Sequence, residues 1–238
     1  MRLVLLGPPG AGKGTQAVQI ARAFGVPQIA TGDIFRHNVR NETELGRQAK
    51  SFMDRGDLVP DDIVIGMVKD RLGQDDAEKG FLLDGFPRTV PQAVALEDFL
   101  ASENRPLDVV LRFNVPESEV VRRIVNRRSC PNDGSVYHLE FAPPKVEGVC
   151  DECGAELIQR KDDTKEVVLH RLEEYHAKTE RLEYFYWERG LLRDVESVGP
   201  VEEVTKRTLA LLDDIEGLHD GSGLGDTTDD DDEEATGA

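Results

Sequence analysis

Nine residues near the start constrain this chain more than any others: Gly7-Pro8-Pro9-Gly10-Ala11-Gly12-Lys13-Gly14-Thr15. They follow the apolar run Leu3–Leu6 and lead into Thr15–Phe24, whose apolar spacing is helical. A strand that ends in closely spaced glycines and reopens as a helix turns successive backbone N–H groups and the helix N-terminus toward one point, where phosphate is held. Lys13 stands where an ammonium reaches the outer phosphates of a nucleoside triphosphate. In the general pattern a Ser or Thr follows the lysine directly, whereas here Gly14 intervenes and the hydroxyl is on Thr15. Position 14 therefore has no side chain to ligate Mg²⁺, which points to a metal held through water and a more distant acid.

Beyond the loop, short apolar runs alternate with helical patterns, the sign of βαβ units and a parallel sheet. Strands are expected at Leu3–Leu6, Pro27–Ala30, Phe81–Leu83, Val109–Phe113 and Leu191–Val195. Helices are expected at Thr15–Phe24, Asp33–Arg40, Leu45–Arg55, Asp61–Leu72, Pro91–Ala101, Glu117–Arg127, Asp163–Glu188 and Val201–Ile215, with Gly and Pro at the breaks. Ser129–Ile158 departs from the alternation: it is Cys-, Gly- and Pro-containing, with Val136-Tyr137-His138-Leu139 in strand style. A structureless loop of that length is rare in a compact domain, so it reads as a small β-rich insertion that something holds together.

At 238 residues the chain makes one or two domains and buries a core without disulfide help. Its formal charge of -18 repels phosphodiester backbones and disfavours a polybasic membrane anchor, so neither nucleic acid nor membrane is expected as a partner. Three cysteines do not make a disulfide framework, and the N-terminal apolar run is too short for a signal peptide, so a cytoplasmic location is expected. Residues 217–238 hold eight acids and no Lys or Arg, and are expected to form a disordered acidic tail. The preceding residues 1–216 still carry 39 acids against 20 Arg and 9 Lys. That balance suggests a chain adapted to high salt, where counter-ions screen its self-repulsion.

The segment Gly7–Gln16, with Thr31-Gly32-Asp33, Asp84-Gly85-Phe86-Pro87-Arg88 and Arg127-Arg128, resembles the adenylate kinases from Met1 to about Ile215, and the insertion resembles their long-lid form. The resemblance implies a doubly wound α/β fold of the P-loop type: a five-stranded parallel sheet flanked by helices. It implies a nucleoside monophosphate kinase core over residues 1–216, with a helical AMP-binding segment at 30–59 and a β-rich lid at 126–163. The activity implied is reversible transfer of a phosphoryl group from MgATP to AMP, giving two ADP, in a monomeric enzyme. A UMP/CMP kinase on the same scaffold and a nucleotide-dependent switch are the alternatives. The long insertion favours AMP over the first, Thr31 and Gln92 suit adenine rather than a thymidylate-type acceptor, and the arginine set argues against the second.

Site residues follow from the same resemblance. ATP would be held by Gly10, Ala11, Gly12, Lys13, Gly14 and Thr15, with Arg127 clamping its phosphates, Arg123 stacking on its adenine, and Val136, Tyr137 and Gly199 beside the base. Arg36 and Arg88 would grip the AMP phosphate, with Arg160 and Arg171 bridging the transferring group and AMP. Thr31 and Gln92 would face the AMP base, alongside Asp57, Leu58, Val59, Gly85, Phe86 and Pro87. Asp84, ending an apolar strand at the sheet edge where such folds bind ligands, would orient Mg²⁺ through its water shell. Thr31 is also a candidate N-cap of the next helix.

All three cysteines fall in the insertion. Cys130-Pro131-Asn132-Asp133 is followed, after 16 residues, by Cys150-Asp151-Glu152-Cys153. This is the spacing of a zinc ribbon with Asp133 in place of one cysteine, and zinc accepts carboxylate oxygen as well as thiolate. Cys130, Asp133, Cys150 and Cys153 are thus the candidate ligands of a structural Zn²⁺.

Overall fold

The computed structural model describes residues 1–219. Five parallel strands form one sheet in the order β2-β3-β1-β4-β7: β1 (Arg2–Leu6), β2 (Gln28–Ala30), β3 (Phe81–Asp84), β4 (Val109–Asn114) and β7 (Leu192–Glu196). Crossover helices lie on both faces, so these strands read as near-continuous apolar runs rather than alternating ones. Successive side chains point to opposite sides. Leu3, Leu5, Leu82, Leu111 and Phe113 join Ile20 of α1 (Lys13–Phe24) and Leu212 of α9 (Val201–His219) in one core layer. Val4, Leu6, Phe81, Leu83 and Val110 join Val68 of α4 (Asp61–Leu72), Leu96 of α5 (Val90–Ser102) and Tyr186 of α8 (Arg181–Trp187) in the other.

The order reverses around β1: the chain first runs out to the edge strand β2, returns through β3 beside β1, then crosses to β4 and β7 on the other side. Such a switch point opens a crevice at the carboxyl ends of the strands, and two excursions border it. A helical hairpin, α2 (Thr31–Arg40) and α3 (Glu44–Arg55), follows β2. Its crossing is tight enough that a Cβ on Gly46 would lie 2.2 Å from the Asn38 carbonyl oxygen. The second excursion follows α6 (Glu117–Val125): β5 (Arg127–Ser129) pairs antiparallel with β6 (Val136–His138), and Ser129 bridges to Ile158 to close the module.

The strands lie within a residue or two of their expected bounds, while three helical expectations are corrected. The helix expected over Glu117–Arg127 ends at Val125, because Arg127 and Arg128 pair with His138 and Tyr137 instead. The stretch Asp163–Glu188 is not one helix. Asp163 sits in a 3₁₀ turn, Thr164 caps α7 (Lys165–Glu174) by accepting from the Val167 N–H, and a π-turn over Tyr175–Thr179 separates α7 from α8. The third correction concerns the C-terminus. Helix α9 continues to His219, past Ile215 and into the segment expected to be disordered from residue 217; the rest of that segment, 220–238, lies outside the described residues.

Candidate functional site

The loop between β1 and α1 forms the floor of a cleft of about 1410 Å³. Gly7 has φ +136 and lies so close to β4 that a Cβ would sit 2.6 Å from the Phe113 carbonyl oxygen; Gly10, at φ +77, leaves no room for a Cβ beside Ile124. Helix α1 starts behind Gly12 with no side chain capping it, so its first N–H groups face the cleft. Gly10, Gly12, Lys13, Gly14 and Thr15 line this cleft, whereas Ala11 is fully buried and can offer only its backbone.

Lys13 Nζ donates to the carbonyls of Gly7 and Pro8, both at 2.8 Å. Burial pushes its pKa down from 10.5 to about 8, against the pull of the Asp84 carboxylate. Asp84, registered beside Leu5 at the end of β3, has its own pKa raised by burial, an effect that Lys13 and Arg88 oppose. A Cβ on Gly14 would lie 3.5 Å from Asp84 Oδ2, so the missing side chain at 14 leaves the carboxylate facing the start of α1.

A smaller recess of about 70 Å³ adjoins the cleft between the α2–α3 hairpin, the β3–α5 loop and α7. Thr31, Arg36, Asp57, Leu58, Val59, Gly85, Arg88, Gln92 and Arg171 all line it. Pro87 and Arg160 line the larger cleft instead, and Phe86 is buried in the core. Thr31 is not an N-cap: Ala30 holds that position, and the Thr31 hydroxyl donates to the Gly85 carbonyl at 2.9 Å. Its lone pairs remain free to accept from a further donor. The Gln92 amide donates to Asp61 Oδ1 at 2.7 Å and accepts from the Arg88 N–H at 2.7 Å, leaving one N–H and one lone pair. Arg88 is further fixed by its Nε donating to Gly85 and by its carbonyl accepting from the Thr179 hydroxyl, which the π-turn presents.

The arginines converge on the region between the two spaces. Arg127 makes a two-pronged contact with the fully buried Asp163, Arg171 pairs with Asp162 at 3.0 Å, and Arg36 pairs with Asp33. Arg88 and Arg160 have no carboxylate within 4.0 Å among the described residues. Burial lowers the pKa of both Arg160 and Arg171 to about 10, with other guanidiniums adding to the effect. Cations held this way in a poorly hydrated site seek an anion. Asp162 and Asp163 were not legible as counter-ions: nothing in their spacing reveals partners 9 and 36 residues away.

At the module's edge Arg123 donates to the Ser197 carbonyl at 3.0 Å and, with Val136, Tyr137 and Gly199, lines the cleft. The Tyr137 hydroxyl is directed away, accepting from the Asp151 N–H and touching Cys150 Sγ. The ligand atoms of Cys130, Asp133, Cys150 and Cys153 lie within 4.8 Å of one another. Cys130 Sγ is 3.4 Å from Cys153 Sγ, and Cys150 Sγ is 3.2 Å from Asp133 Oδ2. Adjacent ligands on a tetrahedral zinc are about 3.5–3.8 Å apart, given metal–ligand bonds of about 2.0–2.3 Å, so the donor set fits in both chemistry and size. The module around it buries only Cys130, Cys150 and Leu157 as apolar residues, too little to stand alone.

Residues 5–191 match the adenylate kinase family model. An adenylate kinase of Streptomyces avermitilis is 56% identical over 213 residues, 89% of this chain and 97% of that protein. One of Acidothermus cellulolyticus is 57% identical over 212 residues, covering 89% and 98%, and one of Archaeoglobus fulgidus is 53% identical over 215, covering 90% and 99%. With the loop, the sheet order and the arginine cluster in place, the chain belongs to the adenylate kinase family.

Proposed function

We infer that the protein transfers the terminal phosphoryl group of MgATP reversibly to AMP, with ATP in the larger cleft and AMP in the smaller recess. The observation that supports this most is the pair of adjoining spaces, with Arg88 lining both, Arg160 lining the larger, and neither paired with a carboxylate among the described residues. The loop N–H groups, Lys13 and Arg127 hold the ATP phosphates. Arg36 and Arg88 hold the AMP phosphate, and Arg160 and Arg171 span the transferring group. Asp162 and Asp163 keep Arg171 and Arg127 paired until phosphate oxygens replace them.

No general base is required, because the AMP phosphate is already an oxyanion. Catalysis is alignment of two phosphates plus fixed positive charge where negative charge spreads in the transition state. Mg²⁺ arrives with ATP, and Asp84 is the carboxylate placed to orient its water shell. Thr31 and Gln92, each with hydrogen-bonding capacity left over, read the AMP base; Arg123, Val136, Tyr137 and Gly199 border the ATP base. Residues 30–59 and 126–163 act as the closing segments, excluding the water that would otherwise accept the phosphoryl group.

Zinc held by Cys130, Asp133, Cys150 and Cys153 would staple the β-rich module. Thiols kept as ligands rather than disulfides suit a reducing, cytoplasmic setting. We read the enzyme as a monomer in a salt-rich cell. Among the described residues, no helix is long and apolar enough to cross a membrane. The test is an acceptor panel: ATP with AMP, UMP, CMP or water, following ADP and free phosphate. ADP formed with AMP alone supports the proposal; preference for UMP or CMP, or phosphate release with no acceptor, refutes it.

A further inference from the structure

Gly56, at the end of α3, packs directly on α7: with φ +82, a Cβ there would lie 2.8 Å from Arg171 Cγ and 2.9 Å from Val167 Cγ1. The next residue, Asp57, splits its carboxylate between two partners. Oδ2 accepts from Arg55 Nε at 2.7 Å, on its own segment, and Oδ1 meets His170 Nε2 of α7 at 2.8 Å. The two residues after Asp57, Leu58 and Val59, line the small recess, as does Arg171, the neighbour of His170. His170 itself lines neither the recess nor the cleft. One turn of α7 thus sends Arg171 into the site and His170 onto the strap that walls it.

We propose that His170 is a positioning residue for the acceptor nucleotide: its imidazolium ties Asp57 to α7 and holds the Gly56–Val59 strap in the AMP-competent position, so acceptor affinity follows the protonation of His170. This rests on assigning the small recess to AMP. The groups facing the imidazole are few. From the strap there is Asp57, with Arg55 behind it; from α7 itself there are Glu173, 3.6 Å from Nδ1, and Glu174. The 3₁₀ turn beside α7 spends Asp162 on Arg171, and α6, on another side, directs Glu117 to His176.

Those contacts, the hydrogen bond to Asp57 first, raise the pKa of His170 above its ordinary value. The sign is that of a base gaining a partner. The tie is at full strength below the free imidazole pKa and is lost as pH rises through the raised value. A neutral imidazole protonated on Nε2 keeps the hydrogen bond but not the charge, so the tie weakens rather than vanishes. Because a ligand's apparent affinity scales with the fraction of protein already competent to bind it, AMP binding weakens with it.

The test is calorimetric titration of AMP and of ATP into wild type, His170→Gln and His170→Lys from pH 5.5 to 8.5. The second ionisation of AMP, near pH 6, cancels in ratios between variants. For a half-exposed ion pair the expected loss is about two- to fivefold. His170→Gln should bind AMP that much more weakly than wild type at pH 5.5 and equally at pH 8.5. His170→Lys, a permanent cation, should match wild type at pH 5.5 and bind more tightly at pH 8.5. ATP affinity should stay unchanged throughout. Ratios independent of pH, or equal changes for ATP and AMP, overturn the proposal, and if the Gln variant fails to fold the Lys comparison alone decides. Arg36→Ala runs alongside: if it leaves AMP affinity unchanged, the assignment of the recess fails, separately from the tie.

Discussion

Replacing Lys13 by Met should move activity and stability in opposite directions. The pKa of Lys13 falls from 10.5 to about 8 in the folded protein, chiefly through burial, even though its ammonium makes two 2.8 Å bonds to loop carbonyls. At about 1.4 kcal/mol per unit, keeping that charge at neutral pH costs the ligand-free fold roughly 3 kcal/mol relative to a neutral side chain. Met keeps the apolar stem and removes the charge, so the ligand-free variant should melt no lower than wild type. In the reaction the same charge meets phosphate oxygens, and loss of one such preorganised donor costs about 10²–10³ in turnover. Strain held at a site for the benefit of its ligand has this signature.

Two assays check it: ADP formation under saturating ATP and AMP, and calorimetric Tm with and without ATP. ATP should raise the Tm of wild type more than that of the variant. The pH dependence supplies an independent sign. Between pH 8 and 10.5 the unfolded chain binds a proton at Lys13 that the folded protein has lost, so wild-type stability gains over the variant as pH rises through that window. A Lys13→Met protein that melts well below wild type, or turns over within tenfold of it, refutes the reasoning.

Arg88→Lys should raise KM for AMP at least tenfold and KM for ATP little, because a single ammonium cannot reproduce the fork that the Gly85 carbonyl orients through Nε, on a backbone that Gln92 and Thr179 hold in place; equal effects on both substrates in steady-state kinetics would contradict this. The purified enzyme should contain one zinc per chain by elemental analysis, released by chelator together with a fall in Tm; Asp133→Cys should retain the metal and Cys150→Ala should lose it. Asp163→Asn strands the buried guanidinium of Arg127 without a counter-ion and should destabilise the fold by about 3–5 kcal/mol in denaturant titrations, with ATP restoring part of the loss. Molar KCl should raise the unfolding midpoint; a midpoint unchanged or lowered removes the argument from charge self-repulsion.

What the sequence made legible was whatever obeys a local rule. The glycine loop declared itself by sitting between an apolar run and a helical one, and Asp84 by ending a strand. The five strands were readable because burial on both faces leaves continuous apolar runs such as Leu3–Leu6. Local rules failed wherever a distant group outbid a near one. Thr31 has the chemistry of an N-cap, yet its hydroxyl goes to the Gly85 carbonyl, 54 residues away, and the helix begins one residue early to let it. Arg127 and Arg128 are good helix formers, yet the ladder to His138 and Tyr137 ends α6 before them. The π-turn at Tyr175–Thr179 has no signature in spacing, and it brings the Thr179 hydroxyl to the Arg88 carbonyl, 91 residues away. These three failures fall on residues that line the nucleotide spaces or hold one that does, whereas the run of α9 past Ile215 to His219 lies away from them. The same long-range bonds that defeat propensity therefore mark where the backbone has been bent to serve the ligand, so a local misreading of this chain is itself a pointer to its site.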